Sequence, residues 1–185
     1  MIIDIFKTSI YKTSIKNIDY KNYFIELLNN QKKLNNGNFK SNIGGFQSQS
    51  LDTIDENIKE NLFVKPTLEY IKPFNRNYKI ELANFWINCN NKNDYNLMHS
   101  HFGTNISGVY YIQVPENSGR IVFQNGDLTK MCSINQFNYI YFYDKYFVPV
   151  NEYDLILFSA DTLHFTEPNR SNDERISVAF NLMLK

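Results

Sequence analysis

The sequence predicts a mainly β chain with flanking N-terminal helices, built as a sandwich or barrel of short strands, for which a jelly roll is the best fit. Two features predict it. Beyond residue 76, short aromatic and β-branched runs alternate with turn residues. Before it, apolar residues recur at three- and four-residue intervals, as one-faced helices require. Composition agrees: aromatics make up 16% of the 185 residues, with 13 Tyr and 15 Phe, types that pack well on a pleated surface.

The first helix runs roughly from Ile18 to Lys33, with Tyr20, Tyr23, Phe24, Leu27 and Leu28 on its apolar side. A second spans roughly Ile58 to Ile71; Pro66 interrupts it and is expected to open the later of two short helices. Asn36-Gly37 and Gly44-Gly45 between them are turn signals. Strands are expected at Tyr78–Cys89, Ser107–Val114, Arg120–Gln124, Phe137–Tyr143, Asp154–Phe158 and Arg175–Leu184. Glu116-Asn117-Ser118-Gly119 reads as a hairpin-like turn and Asn125-Gly126-Asp127 as another turn. No linker or repeat divides the chain. It reads as one domain over residues 1–185: a helical N-terminal layer to residue 76, and a jelly-roll core from 77 that carries the site.

Lys+Arg and Asp+Glu balance at 19 each, so no basic surplus points to nucleic acid. Cys89 and Cys132 are too few for a disulfide framework and form no C-x-x-C pair. The start MIIDIFKTSIYKTSI lacks the marks of a signal peptide, and no run approaches the roughly 18 apolar residues of a membrane span. The expected location is cytoplasmic. Richness in Asn, Lys, Ile and Tyr fits an AT-rich genome such as a phage or low-GC bacterium, which would place a phage-encoded chain in the host cytoplasm. A homodimer is the default oligomer.

The chain has three histidines. His99 and His101 stand at i, i+2, so in an extended segment both imidazoles share a face and can converge on one ion. His164 follows the strand at Asp154–Phe158 and can return to close the site. Taken alone, an H-x-H pair is more often surface or core decoration; the order of motifs is what gives it meaning. Asp94 is a fallback ligand. The last strand splits by period two: Ile176, Val178, Phe180 and Leu182 on one side, Arg175, Ser177, Ala179 and Asn181 on the other. An Arg and a Ser two apart on an inward face can together hold a carboxylate. Tyr110 and Tyr111 alternate, so one must point inward and the other packs. Trp86 shares a face with Asn84 and Asn88, and core packing is its simpler reading. Asn88, Asn96 and Asn181 are candidate pocket residues with it. The cysteines read as inert.

Trp86-Ile-Asn88, His99-Ser-His101, Ser107-Gly-Val-Tyr-Tyr111, Gly119-Arg-Ile-Val-Phe123, His164 and Arg175-Ile-Ser177-Val-Ala-Phe-Asn181 together resemble the Fe(II)- and 2-oxoglutarate-dependent oxygenases. They are most similar to a branch of marine bacteria and phages with H-x-H followed by S-G-V-Y-Y. The resemblance covers about residues 77–184. It implies a double-stranded β-helix, a cupin-like jelly-roll variant, and a non-haem iron dioxygenase that hydroxylates an unidentified substrate while 2-oxoglutarate is decarboxylated to succinate. It implies Fe(II) on His99, His101 and His164. It implies 2-oxoglutarate on Arg175, with Ser177 and a tyrosine of the Tyr110-Tyr111 pair in support, and O2 as the other small-molecule partner. The sequence departs from the commoner H-x-D/E pattern at His101, where an imidazole replaces a carboxylate. It departs again at Asn151-Glu-Tyr-Asp154, which stands where relatives have a glycine turn. Two alternatives remain open at this point: a three-histidine cupin-type iron dioxygenase acting without 2-oxoglutarate, and a non-enzymatic jelly-roll binding module.

Overall fold

The computed structural model describes residues 8–74, 77–126 and 144–185. Eleven strands are seen among them: β1 (Ile10–Ser14), β2 (Asn42–Ile43), β3 (Phe46–Gln47), β4 (Ile80–Asn90), β5 (Tyr95–Asn96), β6 (Ile106–Gln113), β7 (Ile121–Gln124), β8 (Lys145–Val148), β9 (Asp154–Ser159), β10 (His164–Thr166) and β11 (Arg175–Leu184). The major sheet has six strands in the order β1-β9-β6-β11-β4-β3. A minor sheet follows the order β10-β7-β8, and β2 pairs with β5. All pairings are antiparallel. The chain is a jelly roll flanked by helices, as its sequence pattern predicts.

Helix α1 (Ile18–Leu34) begins where Asn17 accepts hydrogen bonds from the amides of Asp19 and Tyr20. Its Phe24 and Leu28 are buried. The second helical stretch is continuous from Glu56 to Ile71: α2 (Glu56–Ile58) passes into a π-wound middle over Lys59–Val64 before α3 (Lys65–Ile71) resumes. Pro66 lacks an amide and would crowd the carbonyl four residues back in a regular helix. The wider turn ahead of it joins the two helices without a loop, and Pro66 stands in the first turn of the later one, as expected. Thr67 Oγ1 donates to the Phe63 carbonyl at 2.7 Å across this junction.

These helices cover the outer face of the major sheet. Phe24, Leu28, Leu62 and Phe63 pack there with Phe85, Tyr110, Val178 and Phe180 in one apolar cluster. Phe63 stacks on Phe180 at 4.2 Å between ring centroids. Gly108 lies beneath this pair, and a Cβ there would meet the Phe180 ring and Leu157. The glycine of the S-G-V-Y-Y run is therefore a packing requirement. A second cluster, including Tyr111, Phe123, Ile156 and Phe158, fills the space between the sheets.

The first 76 residues are more than a helical layer. β1 pairs with β9 and β3 with β4, so the N-terminal part supplies both edges of the major sheet. The Glu116–Gly119 turn is no hairpin: it carries the chain from β6 in the major sheet to β7 in the minor one. The strand expected at Phe137–Tyr143, Asp127 of the second turn and Cys132 lie outside the described residues. Among those described, no helix is long and apolar enough to cross a membrane.

Candidate metal centre and carboxylate pocket

Residues 97–101 leave β5, bend at Met98 and cross to the minor sheet, where His99 forms an isolated bridge with His164. There the His99 amide donates to the His164 carbonyl at 2.9 Å and the His164 amide returns the bond at 3.0 Å. The His101 amide is tied to the Ala160 carbonyl at 2.7 Å. Three backbone anchors thus fix the imidazoles, whose ring centroids lie 4.3 to 5.1 Å apart. One ligand atom from each lies within 4.8 Å of the others, a spacing at which one ion can be shared.

Two second contacts aim the rings. His99 Nδ1 lies 2.7 Å from the Leu97 carbonyl and His164 Nδ1 2.9 Å from the Thr162 carbonyl. A carbonyl only accepts, so each Nδ1 carries the proton and each Nε2 lone pair is left for a metal. Burial, reinforced by the charge each ring would impose on the others, pushes His164 down to about 3 and His101 down to about 4. His99 is lowered as well, chiefly by burial. All three are therefore held neutral near pH 7, the form able to bind a metal. Imidazole donors suit iron, so the donor set fits the ion implied by the sequence pattern.

Beside this triad an inner pocket opens between the sheets, lined by Asn88, Tyr111, Thr166, Arg175 and Ser177 together with the three histidines. Register explains the grouping: Ser177 stands opposite Asn88 on β4 and Tyr111 on β6, placing their side chains on one face. Arg175 is only 2% exposed. It donates to the carbonyl of Ser118 at 2.7 Å, more weakly to that of Glu167 at 3.3 Å, and to Thr166 Oγ1 at 3.1 Å. Gly119 permits this cradle: at φ +83° a Cβ would lie 2.6 Å from the Glu167 carbonyl oxygen. Among the described residues Arg175 pairs with no carboxylate, although a buried cation without an anion is costly. The acid nearest its surroundings, Glu167, is engaged by Arg120 at 2.6 Å.

The expected residues divide as follows. Asn88, Asn96, Tyr111, Arg175 and Ser177 line the inner pocket with the triad, and Trp86 lines it too. Asn181 lies further along the same face and lines an adjoining outer cavity. Tyr110 does not reach the site. It points through the sheet into the helix-covered cluster and donates its hydroxyl to the Ile15 carbonyl at 2.8 Å, because strand alternation turns it away from its neighbour. Asp94 is also removed: its carboxylate accepts from the Asn91 amide at 2.7 Å and sits against Gly44 and Gly45. Trp86 is half-buried on the pocket wall, its ring 5.5 Å from that of His101, so it is not simply core.

Sequence reasoning missed Thr166, Asn90 and the carbonyls of Ser118 and Glu167. Thr166 was within reach, since it follows His164 by two on β10 and so shares its face. The carbonyls had no such signal, because any residue carries one.

Residues 84–181, more than half of the chain, match the model of a family described as "Putative 2OG-Fe(II) oxygenase". No curated protein matches the sequence. Among solved structures, the chain is similar to a prolyl-4-hydroxylase from Pseudomonas putida, with TM-score 0.66, 11% identity and coverage of 96% of this chain and 94% of that one. It is similar to HygX from Streptomyces hygroscopicus, a structure with nickel, 2-oxoglutarate and hygromycin B bound, at TM-score 0.65, 11% identity and coverage of 95% and 83%. A third similar structure is an oxidoreductase of the 2OG-Fe(II) oxygenase family from Burkholderia pseudomallei, at TM-score 0.53 and 15% identity. There the match covers 69% of this chain and spans 57% of the other's length. At these identities the likeness is one of fold.

Proposed function

Since the chain belongs to the 2OG-Fe(II) oxygenase family, we propose that it is a 2-oxoglutarate-dependent dioxygenase that holds Fe(II) on His99, His101 and His164 and hydroxylates a second substrate. The observation that carries this reading is Arg175: a buried guanidinium with no carboxylate partner among the described residues, in the same pocket as three inward imidazoles. When bound, the iron supplies O2 activation coupled to decarboxylation of 2-oxoglutarate to succinate.

The protein's own residues bind and orient. Arg175 takes the far carboxylate of 2-oxoglutarate, and Thr166 Oγ1 steadies its fork. Ser177 and Tyr111 offer hydroxyls from the facing strands. The Tyr111 hydroxyl stays protonated, because burial raises its pKa further than neighbouring Arg175 lowers it. It can therefore donate to an anion. The Asn88 Oδ1 is buried and has no hydrogen-bond partner among the described residues. Ile121, Ile156 and Phe158 keep water from the rear of the site.

Three neutral ligands leave the bound ion one unit more positive than an H-x-D triad would, which strengthens its hold on an anionic chelator. The reading without 2-oxoglutarate shares the triad but leaves Arg175 with nothing to neutralise. Calorimetric titration of 2-oxoglutarate into anaerobic Fe(II)-loaded protein tests the assignment. Arg175→Ala should weaken binding by roughly 10- to 100-fold, the worth of a buried charge-assisted pair. Equal affinity in the two proteins would refute it.

A further inference from the structure

A second cavity, about 410 Å³, opens on the outer side of His99 and His101 and shares both of them, with Trp86, as walls with the inner pocket. That volume is in the range of small-molecule sites. Its polar groups are mostly unengaged. The Gln47 side-chain amide makes no hydrogen bond to any described residue, and its Oε1 is fully buried. Asn181 donates to Asn84 Oδ1 at 2.9 Å, and Ser107 to Asn181 Oδ1 at 2.7 Å. This relay fixes the Asn84 carbonyl inward and leaves its NH2 group free to donate. Lys40 stands at the rim, exposed, with no ion pair to any described residue. No Asp or Glu lines the cavity among the described residues.

We infer that this cavity receives the second substrate, and that the substrate is a small polar molecule whose anionic group, a carboxylate or a phosphate, sits against Lys40 while amide or hydroxyl groups pair with Gln47 and Asn84. A lining with one cation, several donors and no carboxylate favours an acceptor-rich anion. Gln47 offers its NH2 as a donor, since its Oε1 is turned away into the protein. The flat wall of Trp86 holds the molecule's apolar part beside His101, where a C–H bond faces the metal position. This inference rests on the proposed iron site, but its own determinants are separate residues.

Trp86 is the sole tryptophan, so its emission reports on the cavity directly. The experiment titrates full-length protein, with and without saturating 2-oxoglutarate, using N-acetylglycine, inorganic phosphate and neutral N-acetylglycinamide. The expected result is a Trp86 response to N-acetylglycine or phosphate at least about fivefold tighter than to the amide; the better of the two identifies the anion. Lys40→Ala should weaken it about five- to tenfold, Lys40→Arg should retain it, and Arg175→Ala should leave it unchanged. Equal binding of the neutral amide, indifference to Lys40→Ala, or no response to either anion at tens of millimolar would overturn the inference. A response lost in Arg175→Ala and kept in Lys40→Ala would put the anion in the inner pocket, overturning this assignment while sparing the iron-site reading. Loss of 2-oxoglutarate binding with the Lys40-dependent response intact would do the reverse.

Discussion

His99 and His164 exchange both of their backbone hydrogen bonds, at 2.9 and 3.0 Å, so two imidazoles distant in sequence are locked side by side without any ion. Each ring is then turned by a carbonyl two residues upstream, Leu97 for one and Thr162 for the other. Preorganisation of this kind lowers the ordering cost of binding a metal. It also makes the site sensitive to protons in a defined direction.

The folded imidazoles hold protons less readily than an ordinary histidine, which titrates near about 6.5. His164 is held down to about 3 and His101 to about 4, so the unfolded chain takes up protons first as pH falls. The metal-free protein should therefore lose stability steadily from about pH 6.5 toward pH 4. Thermal melts across that range check this, and His164→Gln should flatten the slope. Metal affinity should fall less steeply between pH 7 and 5 than at a site of ordinary histidines, since protons compete less for these nitrogens.

Tyr110 and Tyr111 should separate stability from binding. Tyr110→Phe removes a hydrogen bond to the Ile15 carbonyl in the helix-covered core and should cost about 1 kcal/mol in denaturant titrations, with 2-oxoglutarate affinity unchanged. Tyr111→Phe should do the opposite: little loss of stability, and a several-fold weaker affinity for the keto acid measured by calorimetry.

Thr166→Val keeps the shape of the side chain and removes the hydroxyl that accepts from Arg175 at 3.1 Å. The fork loses one anchor but keeps its two carbonyls. A three- to tenfold rise in the dissociation constant for 2-oxoglutarate is expected, about 1 kcal/mol.

Gly108→Ala should act through packing alone. The added methyl meets Phe180 and Leu157, and a well-filled core relaxes at a cost of about 1–3 kcal/mol. A melting temperature lower by several degrees, with iron stoichiometry unchanged in the folded protein, is the expected outcome.

Much of this arrangement was readable from residue order. The alternation of β11 divides its residues as the structure does, with Val178 and Phe180 toward the helices and Arg175 and Ser177 toward the pocket. The i, i+2 histidines converge as expected, though from an isolated bridge at His99 and the anchor of His101 on Ala160 rather than from a regular strand. Other features depend on partners that a single strand cannot reveal. Parity alone leaves open which of Tyr110 and Tyr111 faces inward; the pairing of Ser177 with Tyr111 decides it. β1 and β3 are short edge strands whose pairing is set by β9 and β4, so their own sequence carries little signal. Pro66 opens the later helix as its chemistry predicts, but the π-wound turn that joins the two helices has no local signal. Lys40 and Gln47 reach the outer cavity from a turn-rich segment, where no periodicity announces a pocket.

The most direct test is an anaerobic titration of metal-free protein with Fe(II), followed by 2-oxoglutarate, watching for the visible charge-transfer band of a keto acid chelated to iron. A band saturating near one iron per chain, weakened in Arg175→Ala and absent in His101→Ala, is the predicted result. Tight iron binding with no band would contradict the 2-oxoglutarate assignment and favour a three-histidine dioxygenase that does without it; no iron binding at all would contradict the metal centre itself.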